Sequence, residues 1–203
     1  MFIKICGLTT PHAVQAAVDA GADALGFVFA ESVRRVTPKQ AVELTRDVPP
    51  QIARVAVMLH PEPYEWERVR DEFKPDWLQT DVSDFERLDV PESIGRLPVY
   101  RDRNSVDYEQ AEVDWPAHIL FEGARSGVGL RPNWHHAAQI AHQTCLMLAG
   151  GLDSDSVREA IIEVHPWGVD VSSGVESSPG VKDPVRIEAF VKAAREAGKI
   201  NAA

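Results

Sequence analysis

The chain has 203 residues, 44% of them hydrophobic and 26% charged, with a formal net charge of −10; that make-up fits a globular protein long enough to bury a sizeable core. Lysine and arginine are scattered, which argues against a nucleic-acid or anionic-membrane surface, and no apolar run approaches the ~18 residues of a membrane span. Two cysteines, Cys6 and Cys145, make neither a disulfide framework nor a zinc ligand set, and Lys4 breaks the first apolar stretch too early for a signal peptide, so a cytoplasmic protein with no metal is expected.

The stretch from Ile3 to Cys6 reads as a short β-branched strand stopped by Gly7. Thr10-Pro11 then supplies an N-cap followed by proline at the first helical position, for a helix to Ala20 with Ala13, Val14, Ala17 and Val18 on one face. A second strand covers Ala24 to Phe29. Thr37-Pro38 repeats the cap and opens a helix through Asp47. The third strand is Arg54 to Leu59, and the third helix, Glu62 to Phe73, carries Tyr64, Trp66 and Val69. Trp77 to Thr80 is a weaker fourth strand, with a helical turn near Asp84 to Leu88, and Leu97 to Arg101 a fifth, interrupted by Pro98. Residues 103 to 115 are acidic and poorly patterned, with room for a short helix at most.

The second half is more regular. His118 to Glu122 is a sixth strand, followed by a glycine-bearing loop from Gly123 to Gly129 and a helix from Trp134 to Gln143. Cys145 to Ala149 is the seventh strand; it runs into Gly150-Gly151-Leu152 and a helix to Val164 capped by Asp153-Ser154. Gly168 to Val171 is the eighth, ending in Ser172-Ser173-Gly174, and Asp183-Pro184 starts a last helix through Ala197. Eight strand-then-helix units about 20 to 30 residues apart predict one α/β domain over 1–203, a single (β/α)8 TIM barrel. An open doubly wound sheet is the alternative, but the first strand–helix turn lacks its Gly-x-Gly-x-x-Gly fingerprint.

Three groups of residues at strand C-termini carry possible chemistry. Gly150-Gly151 and Ser172-Ser173-Gly174 follow the last two strands, where glycines expose backbone N–H groups and serines add donors for a phosphate. Cys6 and Glu122 end the first and sixth strands, which are not neighbours in such a barrel, so the two face each other across its mouth. A thiol near ~8.5 and a carboxyl near ~4.3 would need their acidities drawn together by nearby positive charge and by burial. Arg34, in the loop after the second strand, can fork a carboxylate or phosphate and lower the pKa of a neighbouring thiol. Lys4 shares the inward face with Cys6 and demands a buried anion, Asp170 or another inward carboxylate.

Lys4-Ile5-Cys6-Gly7-Leu8-Thr9, Gly21 to Phe29, Ser32-x-Arg34, Ala149 to Leu152 and Val169 to Glu176 together resemble the phosphoribosylanthranilate isomerases of tryptophan biosynthesis. The resemblance runs over the whole length and is thinnest between about 60 and 115. It implies a cofactor-free Amadori rearrangement of a small-molecule phosphosugar–anthranilate by a monomer or homodimer. In it Cys6 would be the general base and Glu122 would stand where the family usually has an aspartate acid. Arg34 would lie near the anthranilate carboxylate or Cys6, and Asp170 near the anthranilate nitrogen. Gly150, Gly151, Ser172, Ser173 and Gly174 would hold the phosphate.

The chain departs from the family pattern on the acid side. Glu122 is one methylene longer than aspartate, and a misplacement of ~1 Å can cost ~10²-fold in rate. Gln79-Thr80-Asp81-Val82 replaces Gln-Leu-His-Gly, and Gly127-Val128-Gly129 with Asn133-Trp134 replaces Gly-Ser-Gly with Asp-Trp. Two rival functions are a metal-dependent pentulose-phosphate epimerase and a non-catalytic phosphate-binding barrel. The first would want metal ligands at strand ends, where Phe29, Leu59 and Gln79 stand instead.

Overall fold

A computed structural model describes residues 1–102, 114–124 and 131–200. Eight parallel strands close into a barrel in sequence order: β1 (Phe2–Cys6), β2 (Ala24–Val28), β3 (Ala53–Val57), β4 (Trp77–Asp81), β5 (Gly95–Arg101), β6 (His118–Glu122), β7 (Cys145–Leu148) and β8 (Gly168–Val171). Helices α1 (Pro11–Asp19), α2 (Pro38–Leu44), α3 (Pro63–Phe73), α4 (Trp134–Ala141), α5 (Val157–Val164) and α6 (Pro184–Ile200) lie between and after them. Among the described residues no helix is long and apolar enough to cross a membrane.

The local signals act as the sequence predicts at several helix starts. Thr10 Oγ1 accepts from Ala13 N and Thr37 Oγ1 from Gln40 N, each ahead of a proline in the first turn, and Asp183 Oδ1 accepts from Val185 N before α6. The start of α5 is different. Asp153 Oδ1 accepts from Asp155 N, Ser156 N and Ser156 Oγ, which folds 153–156 into a separate turn and delays the helix to Val157. Pro98 is tolerated because it sits just before β5 begins to pair with β6 at Val99↔Leu120. Trp66 and Val69 bury the inner face of α3, whereas Tyr64 is 68% exposed and belongs to the outer one. Residues 103–113, where the sequence leaves room for a short helix at most, and 125–130 in the loop after β6 lie outside the described residues.

Alternation along the strands divides the core in two. Ile3 and Ile5 point outward into the large apolar layer between barrel and helices, alongside Leu25, Phe27, Phe121 and Val169. Inside, Leu97, Val99, Leu120, Met147 and Ala149 form a smaller cluster with Phe2, Trp77 and Trp167. At the N-terminal end of the strands Phe2 stacks on Trp167 at 4.5 Å, and Trp77 meets the His118 ring at 5.1 Å. The barrel is therefore packed at its base, which leaves the C-terminal mouth as the open end.

One added element was not legible as such. A hairpin of β9 (Glu176–Ser178) and β10 (Val181–Lys182) follows a 3-10 turn at Ser173–Val175. It brings a carboxylate and a lysine under the loop after β8.

Candidate active site

The site is built from the third inward position of β1. Phe2, Lys4 and Cys6 alternate with Ile3 and Ile5, so Lys4 lies one layer below Cys6 inside the barrel. The Lys4 side chain is fully buried, and its Nζ donates to Asp170 Oδ1 at 2.7 Å. The same residues are register partners across β1 and β8. Burial opposes the lysine's charge, but Asp170 and Cys6 outweigh it and hold the ammonium above its ordinary pKa.

Room for this pair comes from β2. Cys6 pairs in register with Gly26, and a methyl group at Gly26 would stand 3.0 Å from Cys6 Sγ and 3.1 Å from Lys4 Nζ. Glycine at that strand position keeps the thiol and the ammonium together.

A single cavity at the mouth is lined by Cys6, Arg34, Gln79, Asp81, Arg101, Glu122, Gly150, Gly151, Asp170, Ser172 and Ser173, among others. The structure thus gathers residues from the ends of β1, β4, β5, β6, β7 and β8. Cys6 and Glu122 lie on strands separated by β7 and β8, so they reach the cavity from different walls. Gly174 is not among the lining residues. Its missing side chain has another cause: a Cβ there would sit 1.9 Å from the Leu152 carbonyl oxygen. Gly174 is what allows the loop after β8 to press against the loop after β7, so that Ser172 and Ser173 share the cavity with Gly150 and Gly151.

The electrostatics differ from the sequence reading at two residues. Burial pushes the Cys6 thiol above its ordinary pKa; Lys4 and Lys182 pull it down, Asp170 adds to the rise, and the net direction is up rather than down. Arg34 does fork a carboxylate, but one of the protein's own. Its Nε and Nη2 donate to Glu176 Oε1 and Oε2 at 2.7 and 2.8 Å. Lys182 Nζ donates to the same Glu176 Oε1 at 2.7 Å and to the Ser172 carbonyl oxygen at 2.9 Å. Burial works to raise the Glu176 carboxyl, yet hydrogen bonds from Arg34, Lys182 and the Gly180 N–H win and hold it at about 2.

Four of these residues have no counterpart among the sequence candidates. Glu176 and Lys182 anchor the loop after β8, and only the Arg34 contact could have revealed them. Asp81 and Arg101 end β4 and β5, and their inward placement follows from strand alternation once the strand bounds are known. Arg101 Nη1 lies 2.6 Å from Asp81 Oδ1 and its Nε lies 3.6 Å from Glu122 Oε1. The first is an ion contact, since among the described residues Asp81 Oδ1 receives no hydrogen bond of good angle. Gln79 Oε1 is likewise buried without a partner among them. His60, Asp81 and Asp84 bring ligand atoms within 4.8 Å of one another, close enough to hold a metal ion. Here the imidazole itself bridges the two carboxylates, Nε2 at 2.9 Å from Asp81 Oδ2 and Nδ1 at 3.1 Å from Asp84 Oδ1.

Comparison with known proteins gives this geometry a family. The family model described as N-(5'phosphoribosyl)anthranilate (PRA) isomerase matches residues 3–193. The N-(5'-phosphoribosyl)anthranilate isomerase of Listeria welshimeri is 40% identical over 205 residues, covering 96% of this chain and 98% of its own. A solved phosphoribosyl anthranilate isomerase in complex with reduced 1-(o-carboxyphenylamino)-1-deoxyribulose 5-phosphate superposes with a TM-score of 0.81 at 31% identity, over 97% of this chain and 99% of that one. A structure described as monomers of the dimeric isomerase from Thermotoga maritima superposes with a TM-score of 0.79 at 30% identity, over 97% and 99% of the two chains.

Proposed function

The chain belongs to the N-(5'-phosphoribosyl)anthranilate isomerase family, and from that premise we propose that Cys6 and Glu122 are the base and acid of an Amadori rearrangement carried out in the cavity at the barrel mouth. The protein is an isomerase of tryptophan biosynthesis that converts an aldose to a ketose on N-(5'-phosphoribosyl)anthranilate. The observation that carries the site assignment is the approach of a thiol and a carboxyl group to one cavity from separate walls, with the Gly150-Gly151 and Ser172-Ser173 loops completing it.

The chemistry follows from what each group can do. Glu122, protonated, donates to the ribose ring oxygen; the C1–O bond breaks, and the nitrogen lone pair closes a C=N⁺ bond to give the open-chain iminium. Cys6, as thiolate, removes the proton from C2, and the electron pair of that C–H bond neutralises the iminium as an enolamine. Protonation at C1 and loss of the O2 proton then give the ketone. Glu122 and Cys6 perform the first two of these proton transfers.

The raised thiol pKa fits this order. Burial favours the protonated Cys6 thiol, and the cation formed by ring opening is a positive charge that favours the thiolate when it is needed. Asp170, beside Lys4 and on the cavity wall, offers a carboxylate to that cation. Arg34, tied to Glu176, acts on the phosphate loop through Lys182 and Ser172 and leaves a cationic edge on the cavity wall for the anthranilate carboxylate. The phosphate is held by Gly150, Gly151, Ser172 and Ser173, with Gly174 setting how closely the two loops approach. We infer a cytoplasmic enzyme working as a monomer or homodimer.

Rescue of a tryptophan auxotroph that lacks this isomerase tests the assignment. Growth without tryptophan, abolished by Cys6→Ser, is the expected outcome. Folded, expressed protein that gives no growth would favour a non-catalytic phosphate-binding barrel instead.

A further inference from the structure

We propose that Asp81 and Arg101 set the acidity of Glu122, with Arg101 as a positioning residue for the acid and Asp81 as the counter-charge that draws it away. The inference rests on the reading of Glu122 as the general acid. It starts from a difficulty: an acid must carry its proton, and a guanidinium beside a carboxyl group favours the ionised form. Glu122 has such a neighbour. Arg101 and Glu122 are register partners on β5 and β6, and Arg101 Nε stands 3.6 Å from Glu122 Oε1.

The third member resolves the conflict. Asp81, ending β4, lies on the other side of the same guanidinium with its Oδ1 2.6 Å from Arg101 Nη1. Attraction between charges grows as their separation falls, so the nearer carboxylate takes the larger share of the positive charge. Asp81 cannot follow the guanidinium toward Glu122, because its Oδ2 is 2.9 Å from His60 Nε2. His60 is held in turn by Asp84, whose Oδ1 and Oδ2 meet the ring Nδ1 and the backbone N–H. Thr80 Oγ1 donates to Asp84 Oδ2 at 2.6 Å and fixes the far end. Among the described residues, Asp81, Asp84, His60 and Arg87, whose Nη2 is 3.4 Å from Asp84 Oδ1, are the titratable or charged side chains gathered beside Arg101, and Cys6, Glu31, Arg34 and Asp170 line the same cavity.

Arg101 therefore stands beside the Glu122 carboxyl at the cavity wall while its closer ion contact is with Asp81. Removing Asp81's charge should turn the guanidinium toward Glu122; removing Arg101 should leave Glu122 near the Asp81 carboxylate with no guanidinium between them. The two changes shift Glu122 in opposite directions, which a loss of packing would not do.

The test is a carbon-13 NMR titration of protein labelled at the glutamate side-chain carboxyls, with the Glu122 signal assigned by its disappearance in Glu122→Gln. Asp81→Asn is expected to lower the Glu122 midpoint by about one pH unit and Arg101→Met to raise it. Turnover of Asp81→Asn should fall about tenfold, following the protonated fraction of Glu122, with KM changed by less than about threefold. Each variant carries its own sign, so one that fails to fold leaves the other decisive. Midpoints that stay put, or that move the same way in both, would overturn the proposal. If instead the midpoints move as expected but Glu122→Gln keeps its turnover, the charge balance stands and the role of Glu122 as the acid falls.

Discussion

Lys4 Nζ and Asp170 Oδ1 meet at 2.7 Å inside the barrel, on adjacent strands and at the same register level, with the lysine side chain wholly shielded from solvent. A lysine at this depth is tolerated only with its anion in place. The pair is one layer below Cys6, so the same contact that permits a buried charge also places a cation beneath the thiol and a carboxylate on the cavity wall.

Cutting that pair from one side should be severe. Lys4→Met leaves Asp170 buried without its partner, which costs on the order of 3–5 kcal/mol. Lys4→Met with Asp170→Asn should be less destabilised than the sum of the two single changes, because no uncompensated charge is left. Urea unfolding of the four proteins checks this; strict additivity would mean that the two groups are independent.

Thiol titration reads the electrostatics of the mouth directly. The rate of Cys6 alkylation by iodoacetamide, followed in a Cys145→Ser background, should rise with pH through a midpoint above that of an ordinary cysteine. Asp170→Asn should bring the midpoint down, since the aspartate adds to the rise, and Lys4→Met should take it further up, since the lysine opposes it. A midpoint at or below the ordinary value in the unliganded protein would contradict the account of Cys6.

Gly174→Ala tests how the phosphate loops are joined. The added methyl would press on the Leu152 carbonyl oxygen and on backbone behind it, and backbone yields poorly. A stability loss of about 1–3 kcal/mol is expected, with a KM increase of roughly tenfold and a smaller effect on turnover. An unchanged KM for the phosphorylated substrate would separate the two loops from phosphate binding.

Acid should weaken the tie that Glu176 makes between the loop after β8 and its neighbours. The folded-state pKa of Glu176 lies near 2 against an ordinary value of 4.5, so its stabilising contribution is present above about pH 4.5 and is lost as pH falls toward 2. The contribution is on the order of 2 kcal/mol once solvent screening at the loop is allowed for. Urea midpoints measured between pH 6 and pH 3 should fall more steeply in the parent than in Glu176→Gln, which lacks the titrating group. Parallel curves would show that Arg34 and Lys182 do not depend on its charge.

Much of this arrangement could be read from the chain because it rests on local rules. Thr10-Pro11 and Thr37-Pro38 start helices by satisfying end N–H groups, and strand alternation alone puts Phe2, Lys4 and Cys6 inside with Ile3 and Ile5 outside. The demand of a buried lysine for an anion pointed to an inward carboxylate, with Asp170 the named candidate. What was not legible depends on contacts between distant segments. The commitment of Arg34 to Glu176 spans 142 residues and redirects an arginine that by itself could have addressed thiol or substrate. Burial, which a sequence does not state, outweighs two lysines at Cys6 and reverses the expected direction of its shift. Asp153 spends its carboxylate on a turn of its own, so α5 begins later than the Asp-Ser signal suggested. Asp81 and Arg101 look like surface charges until the closed barrel brings three strand ends together.

The most direct measurement is steady-state turnover of N-(5'-phosphoribosyl)anthranilate by Cys6→Ser and Glu122→Gln, each checked for intact folding. Two groups acting as acid and base on opposite sides of one substrate predict a fall in kcat of about 10²-fold or more in each variant, with KM within a few-fold of the parent. If either variant keeps more than about a tenth of the parent turnover, that side chain does not transfer the proton assigned to it.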